Sequence, residues 1–412
     1  MKLASALTTA SLLLSVNLHA DDWPQWRGPN RDDISKETGL LKKWPASGPK
    51  TVWINEDVGL GYSGYSIVDG TLYTMGARDA VEYVIAVDAT TGKEKWSTEA
   101  GPLLQNKWGN GPRSTPTVSD GRVYAISGKG TLICLNAADG KEIWSTRMVE
   151  DLGGKLQSWG YTESPLVEGD LVVCTPGGSA GTMAAFEKSS GKKAWQTAGW
   201  DDVAQYASVV PAVIHGRRQL VQLTGKSIAG VAPEDGKVIW RHDFPGKTAV
   251  IPTPIVKGNQ VFVSAGYGVG CMMVEISEDN QVKQIYANTD LENHHGGVIL
   301  VGDHLYGHSN KGGWTCMEFA TGQVVWTEKK AVGKGAIHCA DGMFYLLDEK
   351  SGDVVLIEAS PKGFDEKSRF TLNPQTSQRS PDGRVWTHPV VSGGRLFLRD
   401  QELLHCYDVA GK

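Results

Sequence analysis

The sequence of 412 residues lacks the features of several common kinds of protein. Its six cysteines include no adjacent pair and no pair separated by two residues, so it has neither a CxxC redox motif nor a usual zinc spacing. Its 41 basic residues are outnumbered by 46 acidic ones, which gives a net charge of −5. Because nucleic-acid binding depends on phosphate neutralisation, we expect no nucleic-acid partner.

Long apolar runs are also missing, and a membrane-spanning helix needs about 20 apolar residues. Residues 1–20 combine Lys2, an uncharged stretch as far as Leu18 and the small residue Ala20. This layout is typical of a secretory signal peptide, and no cysteine follows that could carry a lipid anchor. The sequence therefore predicts an exported protein, periplasmic or secreted, without a transmembrane segment.

Glycine and tryptophan, in contrast, are abundant and recur together. The 50 glycines are about 12% of the chain, against an average usage of roughly 7%, and the 14 tryptophans outnumber the 12 tyrosines. In five segments a glycine precedes a tryptophan by four positions. These pairs are Gly92 and Trp96, Gly140 and Trp144, Gly191 and Trp195, Gly236 and Trp240, and Gly322 and Trp326.

The repeated phrase predicts a pair of short strands around a tight turn. Asp, Ser or Thr before a glycine favours a turn with positive φ, and the tryptophan lies on the strand that follows. Upstream of each such turn, a second phrase of apolar residues, a DG-type turn and an alternating run predicts two more strands. With Trp53 and the degenerate copies Tyr286 and Phe370, the marked positions recur eight times.

Four strands in each unit of about 40–45 residues are typical of a β-propeller. The predicted fold class is therefore all-β, with eight four-stranded blades over residues 51–412. The last unit ends without a fourth strand, and TVWIN at 51–55 precedes the first unit. We expect this N-terminal strand to complete the eighth blade and close the ring, which leaves no unpaired edge.

The repeat resembles the PQQ-type propeller repeat of quinoprotein alcohol dehydrogenases and of BamB-like outer-membrane assembly proteins. The string at 86–96, AVDATTGKEKW, is similar to the tryptophan-docking motif of that superfamily. The resemblance covers 51–412 and implies that the tryptophans pack between neighbouring blades. The segments DDWPQWRGPNRDDIS at 21–35 and NHHGG at 293–297 resemble a group of exported bacterial PQQ-like propeller proteins.

Residues 21–50 form a separate arm in this interpretation, between the signal peptide and the propeller. The arm carries Trp23, Trp26 and Trp44, and a flexible linker would not contain three tryptophans. We expect it to pack on the propeller with Trp26 and Arg27 partly buried; an exposed partner-binding segment is the alternative. The cysteines, of which Cys134 and Cys316 occupy equivalent repeat positions, are expected to be small buried apolar residues.

The candidate ligand residues lie in segments that lead into the first strand of a blade, because these segments line the channel of a propeller. They are Arg113, Glu163, Tyr206, His295, Lys334 and His388. A ring of such side chains could hold an anionic or polyhydroxylated ligand; a wet channel without a specified ligand is the alternative. We expect the adjacent His294 and His295 to face opposite sides if they lie in an extended strand.

Three functions remain open at this point. The first is a non-catalytic binding or scaffold module in the cell envelope, a monomer that binds an envelope protein or a small polar or anionic ligand. The second is a quinoprotein-like oxidoreductase that binds PQQ and Ca²⁺, although the adjacent cysteine pair of those enzymes is absent. The third is a carbohydrate- or polymer-binding module. No catalytic residue is assigned; a metal site of His295, His338 and His388 is a further alternative.

Overall fold

The computed structural model describes residues 22–411, and this part of the chain forms strands, turns and loops without a helix. The predicted signal peptide lies outside the described residues. The strands form eight sheets arranged as the blades of a ring, which confirms the predicted eight-bladed propeller. No helix within residues 22–411 is long and apolar enough to cross a membrane.

Each blade is an antiparallel sheet whose strands follow in chain order from the channel outwards. Blade 1 consists of Ser66–Val68, Thr71–Arg78, Val81–Asp88 and Glu94–Pro102; blade 2 of Thr117–Ser119, Arg122–Ile126, Thr131–Asn136 and Glu142–Arg147; blade 3 of Leu166–Glu168, Leu171–Cys174, Ala184–Glu187 and Lys193–Gln196; and blade 4 of Val210–Ile214, Arg217–Leu223, Ser227–Val231 and Val238–Asp243. The middle strands are the most buried, since both their faces pack against neighbouring blades.

The second half of the ring repeats this plan with two additions from the N-terminal segment. Blade 5 consists of Ile255–Lys257, Gln260–Ala265, Gly270–Ile276 and Val282–Asn288; blade 6 of Val298–Val301, His304–Ser309, Gly313–Glu318 and Val324–Glu328; blade 7 of Gly335–Ala340, Met343–Asp348, Asp353–Glu358 and Glu366–Thr371; and blade 8 of Val390–Ser392, Arg395–Asp400 and Leu403–Asp408. Lys50–Asn55 pairs antiparallel with Leu403–Asp408, so the N-terminal strand closes the ring as predicted.

Blade 7 departs from the four-strand plan because the arm adds a short parallel strand, Ile34–Ser35, to its innermost strand. The hydrophobic core is divided between adjacent blades rather than gathered at one centre. One cluster, for example, joins Trp44 of the arm to Tyr345 of blade 7 and to Leu396 of blade 8. Burial between blades therefore holds the ring together.

A girdle of aromatic residues connects most blades to the next. The ring of Trp144 in blade 2 lies so close to Gly191 of blade 3 that a Cβ atom there would be 2.6 Å from the indole. Gly191 also has a φ of +71°, a conformation that glycine adopts without steric cost. The aromatic residues and the glycines that they cover are Trp53 and Gly92, Trp96 and Gly140, Trp144 and Gly191, Trp195 and Gly236, Tyr286 and Gly322, and Phe370 and Gly48.

Two tryptophans of the repeat cover no glycine in the turn of the next blade. Trp240 donates its indole N–H to Gln219 of its own blade at 2.6 Å, and the turn of the next blade carries Asn280 with a φ of +63° where the repeat has glycine. Trp326 donates to the carbonyl of Ser360 in blade 7 at 3.2 Å. The six cysteines are buried and free of disulfides, which confirms their interpretation as small apolar residues.

Candidate ligand cavity at the open end of the channel

The channel is lined by eight crossing loops, which lead from the outermost strand of one blade to the innermost strand of the next. Seven of these loops place a side chain towards the same cavity from the position four residues before the innermost strand. These residues are Tyr62, Arg113, Thr162, Tyr206, Ile251, His294 and Trp386. Seven of the eight blades therefore present one equivalent side chain to a shared cavity, and the residue types at this position determine the chemistry of the cavity.

The position two residues later forms the next layer, because successive side chains alternate in extended backbone. Ser164, Ser208, Thr253 and His388 occupy this position and also line the cavity. Their side chains bond to neighbouring loops or to the arm. Ser208, for instance, accepts the N–H of Ser164 at 3.0 Å, which ties two crossing loops together.

The arm closes one end of the channel by contacting every blade. Residues 23–33 bond to Ile67, Val118, Ser164, Pro165, Val209, Thr253, Val298, His338, Cys339 and His388. Arg31 is the most connected of these residues: its guanidinium donates to the carbonyls of Pro165, Val209 and Ser164 at 2.5, 2.9 and 3.2 Å. Burial lowers the pKa of Arg31 to about 10, so the side chain stays charged near neutral pH.

Asp33 is the acidic centre of the closed end and is 1% exposed. It accepts hydrogen bonds from His338 at 2.9 Å and from His388 at 3.3 Å, and Arg27 lies 3.6 Å away. Although burial raises the pKa of Asp33, the two imidazoles and the guanidinium hold it well below its usual range. The closed end is therefore built from buried charges that have partners.

The opposite end of the channel is an open cavity of about 210 Å³ with Trp26 and Arg27 of the arm as its floor. Aromatic side chains dominate its walls: Tyr62, Trp108, Trp159, Tyr206, Tyr267 and Trp386. Among the residues that line it, no aspartate, glutamate or cysteine occurs. The cavity is therefore apolar with a few hydrogen-bonding groups, as small-molecule sites usually are.

Arg113 is the cationic group of the cavity wall. Its guanidinium donates to the carbonyls of Gly109 and Gly111 at 2.8 and 2.9 Å and lies over the ring of Tyr62, 5.2 Å from its centroid. Burial lowers the pKa of Arg113, but a guanidinium remains protonated in proteins. Its own loop and one aromatic face thus fix the orientation of this charge.

A second polar group lies behind the wall formed by blades 6, 7 and 8. Glu349 bonds to Nε2 of His295 at 2.5 Å, accepts the indole N–H of Trp386 at 2.8 Å and lies 3.2 Å from Nζ of Lys334. Burial alone raises the pKa of Glu349, yet the hydrogen bond and charge of His295 and the charge of Lys334 lower it to about 2. The ionised carboxylate therefore orients Trp386 and His295 at the cavity.

His294 and His295 both line the cavity, with ring centroids 4.9 Å apart. We expected opposite sides for an extended strand, but residues 291–297 form a bent loop, and this loop brings both side chains to the cavity. His294 bonds through Nδ1 to Lys334 at 3.0 Å and through Nε2 to Tyr267 at 2.9 Å. Burial and the charges of His295 and Lys334 lower the pKa of His294 to about 3, so it is neutral at neutral pH.

The six predicted ligand residues fall into two groups. Arg113, Tyr206, His295 and His388 line the cavity. Lys334 is behind the wall, and Glu163 is buried below it with hydrogen bonds from Thr175 at 2.6 and 2.9 Å. Burial raises the pKa of Glu163 to about 7.

The three histidines of the alternative metal site are each bound to other groups. His338 contacts Asp33 and the N–H of Val391, and His388 contacts Asp33 and the carbonyl of His295. Within residues 22–411 no group of three His, Cys, Asp or Glu side chains could hold a metal ion.

Sequence reasoning missed most of the aromatic wall. Tyr62, Trp108, Trp159 and Tyr267 were not among the candidates, although Tyr62 occupies the same repeat position as Arg113 and Tyr206. Counting four residues back from each predicted innermost strand would have found Tyr62. Trp108 and Trp159 lie further back in longer loops, and Tyr267 is on a turn inside blade 5, so no common spacing indicates them.

The chain is similar to proteins of two kinds. The PQQ_2 family, described as "Outer membrane protein assembly factor BamB", matches residues 80–328. BamB of Salmonella typhimurium is 28% identical over 332 residues, which cover 76% of this chain and 78% of that protein. The dehydrogenase subunit of a quinone alcohol dehydrogenase from Gluconacetobacter polyoxogenes is 28% identical over 194 residues, or 43% of this chain and 26% of that subunit.

The same two kinds of protein occur among similar solved structures. At these sequence identities, the similarity shows the fold alone. BamB from Moraxella catarrhalis superposes with a TM-score of 0.60 at 15% identity, covering 87% of this chain and 97% of that one. Quinohemoprotein alcohol dehydrogenase from Comamonas testosteroni also gives 0.60, at 12% identity, covering 95% and 81%.

The cavity does not fit the PQQ and Ca²⁺ pair that the dehydrogenase resemblance implies. Calcium takes six to eight oxygen ligands, with carboxylates prominent among them, whereas no carboxylate lines this cavity. The nearby Glu349 is already bound to His295, Lys334 and Trp386. Its oxygen atoms would have to leave those partners to bind a metal.

Proposed function

Because the chain belongs to the BamB family of PQQ-like propellers, we propose that it is a non-catalytic binding module of the cell envelope. The observation that carries the proposal is the asymmetry of the channel: the arm seals one end, and the other end is a cavity lined by one side chain from each of seven crossing loops. In this proposal the open end receives a ligand or a segment of an envelope partner.

The chemistry of the cavity favours binding over catalysis. Among residues 22–411, its lining contains no carboxylate and no thiol, which are common nucleophiles and metal ligands. One ring nitrogen of His294 is bound to Lys334 and the other to Tyr267. This imidazole therefore stabilises the wall and has no nitrogen available for a substrate. Aromatic faces beside a fixed guanidinium provide affinity and orientation.

Site-specific photo-crosslinking in cells tests this function. A photoreactive side chain would replace Tyr267 at the cavity rim, and in a separate variant Val325 on the outermost strand of blade 6. These two residues are matched in exposure, at 41% and 45%. The proposal predicts a discrete crosslinked product in the envelope fraction from the Tyr267 position only. Equal products at both positions would contradict a binding role of the open end.

A dye-reduction assay tests for PQQ-dependent oxidation. The purified full chain is incubated with PQQ and Ca²⁺ and then with alcohols or aldose sugars. We expect no dye reduction above that of the mixture without protein. Turnover with stoichiometric retention of PQQ would overturn the proposal in favour of an oxidoreductase.

A further inference from the structure

The aromatic side chains of the cavity form a curved wall rather than parallel plates. The ring centroids of Tyr62 and Trp386 are 4.9 Å apart at an interplanar angle of 52°, and those of Trp108 and Trp386 are 6.5 Å apart at 47°. Trp159 meets Tyr206 almost edge-on, at 78°. This wall offers ring faces in several directions, which suits a puckered ring with C–H groups on both sides better than a flat aromatic ligand.

Arg113 adds a specific charge requirement to this wall. Its hydrogen bonds within residues 22–411 are those to Gly109 and Gly111, both in its own loop, and a guanidinium has five N–H donors. Three donors therefore remain on the side chain at the cavity. A carboxylate is the complement of this planar donor group and binds it in a bidentate manner.

Polar groups between the aromatic faces add hydrogen-bonding capacity without negative charge. Thr162, Tyr206 and Tyr267 contribute hydroxyl groups to the lining, and no carboxylate accompanies them. A ligand that combines several hydroxyls with an anionic group fits this set, whereas a cationic ligand would meet Arg113 without a compensating charge.

The floor of the cavity limits what part of a ligand can enter. Trp26 lies on it, 4.7 Å from the ring of His388, and is bound through its indole N–H to Thr253 at 3.1 Å. A polymer cannot thread through a channel that the arm fills. The cavity of about 210 Å³ therefore ends at this floor, so a chain can enter it only by its terminal part.

We propose that the cavity binds the terminal ring of an acidic saccharide, a sugar that carries a carboxylate. Arg113 binds the carboxylate, and the ring of Trp386 stacks on the apolar face of the sugar ring. This inference rests on the proposed binding function and names the ligand class that the open end accepts.

Titration with two matched oligosaccharides tests the ligand class. One ends in glucuronic acid and the other ends in glucose, so that they differ only in the carboxylate. Calorimetry on the full chain should give an affinity for the acidic ligand at least about tenfold higher, because a hydrogen bond to a charged group is worth about one to two factors of ten. Equal affinities, or no binding of either sugar, would overturn the proposal.

Variants of Arg113 identify where the carboxylate binds. Arg113→Met should reduce the affinity for the acidic sugar to that for the neutral one, and Arg113→Lys should recover part of the difference through its charge. Val325→Thr on the outer wall is the control and should bind both sugars as the unmodified chain does. Unchanged discrimination in folded Arg113→Met would overturn the assignment of this residue.

Competing ligands distinguish this inference from the function on which it rests. PQQ without metal and benzoate test flat aromatic acids, and tighter binding of either than of the sugar would overturn the saccharide proposal. The crosslinking result at Tyr267 would still stand in that case. Dye reduction with PQQ and Ca²⁺, in contrast, would overturn the proposed function itself.

Discussion

Two arginines at opposite ends of the channel are used in different ways. Arg31, at the closed end, donates one hydrogen bond to Gln25 of the arm and three that join the arm to the loops leading into blades 3 and 4. Arg113, at the open end, donates two, both to its own loop. A buried charge that links separate elements supports the fold, whereas a charge that is oriented by its own loop and keeps donors available is suited to a ligand.

The largest expected effect tests the closed end. Asp33→Ala removes the partner of Arg27, His338 and His388, and leaving buried charges unpaired costs about 3–5 kcal/mol. We expect chemical denaturation to show a loss of that size in the free energy of unfolding. Asp57→Ala is the matched control, because Asp57 is 84% exposed, and it should cost less than about 1 kcal/mol. Similar losses in the two variants would contradict a structural role for Asp33.

The next effect compares the two arginines directly. Arg31→Met leaves three buried carbonyl groups without their donors, which costs about 2–3 kcal/mol in the free energy of unfolding. Arg113→Met should cost about 1 kcal/mol or less, since water can reach the carbonyls beside the open cavity. Denaturation curves of both variants measure the difference. A larger loss for Arg113→Met than for Arg31→Met would show that the arginine at the open end contributes more to stability.

A smaller loss of stability is expected from a change at the aromatic girdle, which lies away from the channel. Gly191→Ala and Gly216→Ala both place a side chain at positive φ, +71° and +73°, at a shared cost of about 1–2 kcal/mol. At Gly191 the new methyl group also meets Trp144 at 2.6 Å, whereas nothing lies within 4 Å of it at Gly216. Overpacking should therefore make Gly191→Ala less stable by about 1 kcal/mol or more than Gly216→Ala. Equal midpoints of unfolding would argue against the docking of Trp144.

The pH dependence of stability should also differ between the ends. Burial is the main cause that lowers the pKa of His294, in the cavity wall, to about 3 and that of His308, on the second strand of blade 6, to about 4. In the unfolded chain these two imidazoles bind protons below about pH 6.5. Their contribution to the free energy of unfolding is therefore complete above that pH and is lost as the pH falls towards 4. The contribution of Asp33, whose pKa is lowered from 3.8, is lost only below about pH 4.

Variants are needed to measure that difference, because Glu163 acts in the opposite direction. Burial raises its pKa from 4.5 to about 7, so its contribution is lost as the pH rises through this range. We expect His294→Gln with His308→Gln to flatten the fall in the urea midpoint between pH 6.5 and 4.5, relative to the unmodified chain. An unchanged slope would contradict neutral imidazoles at the open end.

The sequence alone was sufficient for the fold because each blade repeats the same local signals. The Gly-to-Trp spacing marked the outer strands, and the missing fourth strand of the last unit indicated closure by 51–55, as observed for Lys50–Asn55. The fifth strand in blade 7 could not be foreseen, since Ile34–Ser35 is too short to show a period. Local patterns identify blades, but they do not show where an arm without a repeat will pack.

The residues of the cavity could be predicted only in part, unlike the fold. Arg113 and Tyr206 were found because they precede predicted strands, but their depth along the channel depends on the alternation of extended loop residues. Glu163 has the same kind of sequence context and yet is buried under the wall, bound to Thr175. The role of the arm as a floor depends on hydrogen bonds between residues more than 100 positions apart, which no local pattern records.

Binding of the two matched oligosaccharides to Arg113→Met and Gly191→Ala is the most direct test of a division between a structural frame and a ligand-binding open end. We expect Arg113→Met to lose about 1 kcal/mol or less of stability and at least about tenfold in affinity for the sugar ending in glucuronic acid. Gly191→Ala should lose stability and keep that affinity while folded. The opposite result, with affinity lost in Gly191→Ala and kept in Arg113→Met, would contradict the account.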